Sequence, residues 1–178
     1  MDMFLRTLDL NLSRRRLRSH LYQASEEFGL ELSALPHSFD TNDLLEFADK
    51  QLRRRDIRQS EFHPELLERT GIVQALAGDD DAAERTFDRG IRGSERTTDE
   101  ARFLYLKAHT LHFRRGEMLA ARKLLHEAVA KMETQRHLKT RALLLLGRVE
   151  RSLNDLESAE EAYDHVLESG VLEFRPLA

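Results

Sequence analysis

Apolar positions recur along most of this chain at helical intervals of three and four. Leu17, Leu21, Ala24 and Phe28 form a first stripe, which predicts a helix over 14–28 with Ser13 as N-cap and Gly29 as a left-handed stop. Before it, Met3, Phe4, Leu8, Leu10 and Leu12 mix helical and alternating spacing, so residues 1–12 read as a short helix or an extended lead-in. Pro36 disfavours helix and leaves 30–39 as a loop. Asp40 or Thr41 then caps a second helix over 41–58, with the stripe Leu44, Leu45, Ala48 and Leu52. Three helix pairs follow. Pro64 opens a helix over 64–77, where its missing N–H costs nothing, and Asp79, Asp80 and Asp81 introduce the next over 80–92. Thr97 or Thr98 caps 99–114, and 117–132 follows Gly116. The last pair covers 136–152 and 155–169, closed by Gly170. The fold class predicted is all-α.

A period lies over these pairs. Ala83, Ala121 and Ala159 are spaced 38 apart, as are the breaks Gly78, Gly116 and Asn154 and the bulky positions Phe87, Leu125 and Tyr163. Coincident spacing of small, breaking and bulky residues signals a stacked repeat array. Two antiparallel helices approach closely only where one offers a small side chain. The three alanines supply it on the second helix, and Gly71 and Gly147 on the first. Counting back 38 from Ala83 reaches Leu45, so 1–60 reads as an N-terminal helical pair capping three repeats within 61–170 (about 64–92, 99–132 and 136–169), with 171–178 as a tail.

The offsets resemble the tetratricopeptide repeat. The first unit reads Leu67, Thr70-Gly71, Gln74, Ala83 and Phe87; the second Tyr105, Ala108-His109, His112, Ala121 and Leu125; the third Leu143, Leu146-Gly147, Glu150, Ala159 and Tyr163. Two departures stand out: the period is about one helical turn longer than the usual 34, and His109 replaces the glycine of the middle unit. The resemblance implies a right-handed superhelical array of antiparallel helix pairs, an α-solenoid, whose concave wall holds a peptide or helix of a partner. Carried over by position, the lining is Glu65, Glu68, Ile72 and Ala75, then Phe103, Leu106, Thr110 and Phe113, then Arg141, Leu144, Arg148 and Arg151. That progression from acidic through apolar to basic suits a partner segment with an apolar centre and an acidic end. The chaperone-tail binders of that family use Lys and Asn where this chain has Ile72, Thr110 and Arg148, so their activity is not implied.

Composition narrows the rest. With no cysteine, disulfides, thiolate zinc sites and cysteine nucleophiles are excluded. The start shows no secretory pattern, and the longest apolar run, 142–147, is too short to span a bilayer, so a cytoplasmic protein without a membrane segment is expected. The net charge is −4, which removes a global basic signature for nucleic acid. The clusters Arg14, Arg15, Arg16, Arg18 and Arg53, Arg54, Arg55, Arg58 keep a nucleic-acid-associated regulator as the alternative reading, although carboxylates lie near and no aromatic interleaves them. His109 and His112, three apart, lack a further ligand, so neither metal nor cofactor is expected. No phosphate loop, nucleophile elbow or carboxylate pair is present, and a non-enzymatic adaptor is the reading favoured. The helix through Ala142–Leu146 is apolar on all sides. The tail, with Leu172 and Phe174, or a second copy forming a homodimer through the C-terminal end, would complete its cover.

Overall fold

The computed structural model describes residues 10–21 and 40–170. Among these, every regular element is helical and no strand occurs. The expectations for Ala24, Phe28, Gly29, Pro36 and the tail lie outside the described residues. The chain divides into two compact units, Met1–Gly90 and Ile91–Ala178. The first predicted repeat therefore groups with the N-terminal helices, and the division does not fall at residue 60.

In the first unit α1 covers residues 10–21. Ser13 lies inside it and does not cap it, while Leu17 and Leu21 are buried as their spacing predicts. Helix α2 (Thr41–Leu52) starts at Asp40, whose carboxylate accepts the Asn42 N–H at 2.7 Å. It buries Leu44, Phe47, Ala48, Gln51 and Leu52. The predicted helix to residue 58 is broken at Arg53-Arg54, and a short α3 (Arg55–Arg58) follows. The reason is geometric: at about 100° per residue, a continuous helix would carry Ile57 roughly 140° away from Leu44. After the turn Ile57 is fully buried. Helix α4 (Phe62–Ala77) begins two residues before Pro64, and α5 (Asp80–Gly93) contains the division between the units.

The second unit holds α6 (Thr97–Thr110), a π turn at Leu111–Arg115, α7 (Met118–Lys131), α8 (Arg136–Ser152) and α9 (Leu156–Glu168). Neither Thr97 nor Thr98 caps α6. The N-cap is Arg96, with no side-chain bond, and Asp99 and Glu100 meet the positive end of the helix dipole instead. One buried cluster, including Leu104, Ala108, Leu125, Ala128, Leu145 and Val149, joins α6, α7 and α8. Four residues of the apolar run, Ala142, Leu143, Leu145 and Leu146, are buried, and Leu144 is half-buried.

The 38-residue spacing reappears as backbone conformation. Gly78, Gly116 and Asn154 all take positive φ, at 95°, 67° and 62°. Each is followed by a carboxylate residue whose carbonyl starts the next helix: Ala83 N–H donates to Asp79 at 3.0 Å, Ala121 to Glu117 at 3.0 Å and Ala159 to Asp155 at 3.1 Å. Asp79 and Asp155 also cap with their side chains, accepting from the Ala82 and Ser158 N–H groups. Ala83, Ala121 and Ala159 are buried, as are Phe87 and Leu125, and Tyr163 is half-buried. A Cβ on Gly71 would overlap the Phe87 ring, and one on Gly147 would lie 2.5 Å from Tyr163 Cε1. Bulky ring and missing side chain interlock at both places.

Candidate functional site

The middle helix pair departs from this pattern, and the departure builds a cleft. At the ends of α4 and α8, the second residue past the last helical turn bonds five residues back: Asp79 N–H to Gln74 at 3.0 Å and Asp155 N–H to Glu150 at 2.9 Å. The corresponding Glu117 N–H reaches six back, to Leu111 at 3.1 Å. The π turn thus absorbs one extra residue. Upstream of it, the helix face that meets the core moves by one position. Phe103, Leu104, Ala108 and Thr110 are buried, 37 residues after the buried Leu66, Leu67, Gly71 and Val73, whereas His109 is exposed. Ala108 supplies the small side chain that His109 could not.

The same shift corrects the predicted lining of the middle unit. Phe103 is 1% exposed and Thr110 is 3% exposed, so both are buried and neither lines an open wall. The Thr110 hydroxyl donates to its own helix, at the Leu106 carbonyl, 3.1 Å away. Leu106 is half-buried. In their place stands the i, i+4, i+8 row Tyr105, His109 and Phe113, half-buried against the core at its Tyr105 end and exposed at the other, with ring centroids 6.2 Å and 4.5 Å apart. His112 packs edge-on against Phe113 at 4.4 Å. Across from this ledge, α8 presents Arg141, Leu144, Leu145 and Arg148, and the two sides enclose a cavity of about 210 Å³. Phe113, Arg141, Leu144 and Arg148 therefore line one cavity, and Arg151 is exposed three residues further along α8. Tyr105, His109 and Leu145 were missed as lining, although the four-residue spacing of the rings was visible. Ile72 and Ala75 are half-buried on α4 in the other unit, together with Glu65 and Glu68. Glu65 already pairs there with Arg69 and lies 3.7 Å from His20 Nδ1.

The cleft is electropositive. His109 keeps an exposed edge, but its ring is packed between Tyr105 and Phe113, and this desolvation pushes the imidazole down to about 4, helped by His112 and Arg148; His112 is lowered by burial and then Arg148. Burial raises the Tyr105 hydroxyl against the opposing pull of Arg141 and Arg148. Arg53 and Arg54 are matched: Arg53 Nε lies 2.9 Å from Asp49, and Arg54 Nε 3.1 Å from Asp56. That commits half of the second arginine cluster to its own helices. Arg122 Nε lies 3.0 Å from Glu150, a fully buried carboxylate, and also reaches Asp155 at 3.1 Å.

Among the described residues no group of three or more His, Cys, Asp or Glu is placed to hold a metal, and His112 Nδ1 instead lies 3.0 Å from Met118 Sδ. No helix among them is long and apolar enough to cross a membrane. No model of a known protein family matches the chain, and no curated protein matches its sequence.

Proposed function

We propose that this protein is a non-enzymatic interaction module, a tetratricopeptide-like α-solenoid that holds a peptide or helix of a partner protein and acts as an adaptor or regulator. The recurrence of left-handed residues and helix-start bonds every 38 residues supports the repeat reading. The observation that carries the function is the α6–α8 cleft: an aromatic ledge, with Phe113 48% exposed, facing two arginines that make no ion pair among the described residues. Aromatic and arginine side chains are the groups that dominate protein interfaces. The apolar ledge suits the centre of a bound segment, and Arg141 and Arg148 its acidic end.

Affinity capture from the source cells, with wild type beside Phe113→Asp and Arg148→Glu, tests this reading. Both positions are solvent-facing, so both variants should melt like wild type while losing the captured partner. Full retention of every partner by both variants removes the cleft from the function.

A further inference from the structure

The sequence of α8 carries five Lys and Arg residues and a single carboxylate, Glu150, in a chain whose net charge is −4. Glu150 is buried and committed to Arg122. No acidic residue stands in the first turn of α8, where the helix dipole would favour one. The solvent face of α8 is therefore cationic, which the net charge does not favour and the helix dipole favours only at the C-terminal end, where Arg151 stands. Arg141, Arg148 and Arg151 make no ion pair among the described residues, unlike Arg53, Arg54, Arg69, Arg89, Arg115 and Arg122. At about 100° per residue, Arg141, Leu144, Arg148 and Arg151 fall within roughly 80° of one another, on one stripe.

We propose that the occupant of this cleft is an acidic amphipathic helix of a partner protein, laid along α8 with carboxylates seven residues apart and apolar side chains between them. This rests on the interaction-module reading and specifies the partner. The spacing decides the conformation. Arg141 and Arg148 stand about 10 Å apart along the axis. On one face of an extended segment, side chains recur every ~6.7 Å, so carboxylates fall near 7 or 13 Å and straddle that separation. A helix places residues i and i+7 about 10.5 Å apart and on nearly the same face. Its residues i+3 and i+4 then point at Leu144 and the Phe113 ring, and a further carboxylate, three or four residues on, meets Arg151.

The probe is a synthetic helix-forming peptide with Glu seven residues apart and Leu at the third and fourth positions between, followed by fluorescence anisotropy at low and high salt. Binding should weaken with salt and fall by about tenfold or more with Arg148→Glu. The same peptide with Lys for both Glu should bind only the Arg141→Glu/Arg148→Glu double variant, which also shows that the variant is folded. Equal binding by a peptide of identical composition with a central proline would overturn the helix, while leaving the cleft in place if Phe113→Asp still abolishes it. Binding indifferent to Arg148→Glu, or absent for every peptide, overturns the proposal; partner capture lost with Phe113→Asp would then still uphold the cleft itself.

Discussion

In the α8–α9 hairpin, Gly147 lets the Tyr163 ring lie against the helix backbone, and the residue three positions later, Glu150, turns into the core and binds Arg122 of α7. In the α6–α7 hairpin, His109 and His112 stand at those two sequence positions, and neither repeats the role. The π turn moves Ala108 to the crossing, leaves His109 outside and sets His112 beside Met118. The difference teaches that a repeat can lose its small residue and keep its packing, provided the helix takes up one extra residue before the turn. The cost is a row of rings that leaves the crossing, with Tyr105 still against the core and His109 and Phe113 exposed. That row is one wall of the cleft, so the candidate site lies where the repeat is broken.

The largest contrast is expected at the polar position. Arg122→Ala leaves the buried Glu150 carboxylate with only His126, 3.4 Å away, and should cost about 3 kcal/mol, the low end for such a pair because Arg122 is itself 35% exposed. Equilibrium unfolding measures it. Replacing both partners, with Arg122→Met and Glu150→Leu, should cost less than Arg122→Ala alone, since no buried charge then remains. A loss within about 0.5 kcal/mol for Arg122→Ala would mean the pair is merely peripheral.

The crossing itself comes next. Gly147→Ala forces the Tyr163 ring aside and should cost about 1–3 kcal/mol, and Ala121→Leu should overpack the middle hairpin by a similar amount. His109→Ala, at the position that corresponds to Gly147, should cost less than Gly147→Ala because the side chain stacks on Tyr105 and Phe113 and does not stand at the crossing. Equal losses at residues 109 and 147 in thermal unfolding would put His109 at the crossing and remove the one-residue shift.

Much of the architecture was legible because small and breaking residues report local geometry. Gly78, Gly116 and Asn154 adopt the left-handed conformation that ends a helix, and Ala83, Ala121 and Ala159 are buried, all at positions the spacing singled out. The π turn was not legible. It leaves the 38-residue count unchanged and alters only the rotation of what precedes it, so Phe103 and Thr110 are buried while Tyr105 and His109 line the cleft. His109 in place of glycine was the one signal of it. Nor was the break at Arg53-Arg54 legible, since no proline or glycine marks it and only the burial of Ile57 demands it.

The smallest effect is in pH. His109 is the one member of the three glycine positions that titrates, so the middle hairpin should carry a dependence the other crossings lack. Its pKa in the fold is about 4, below the ordinary 6.5, chiefly through burial and then through His112 and Arg148. As pH falls below about 6.5, the unfolded chain takes up the proton first and the folded state does not. Stability should therefore be unaffected by this group at pH 7 and decline as pH falls from about 6.5 toward 4, with no further loss below. His63 and His112 are lowered in the same direction, so His109→Gln should flatten only part of that slope. A proton NMR titration of the imidazoles should find His109 as the most depressed of the three, and Arg148→Gln should move its midpoint upward. A His109 midpoint at the ordinary 6.5 would mean that neither α8 nor its neighbours crowd the ring, and the cleft would lose its inner wall.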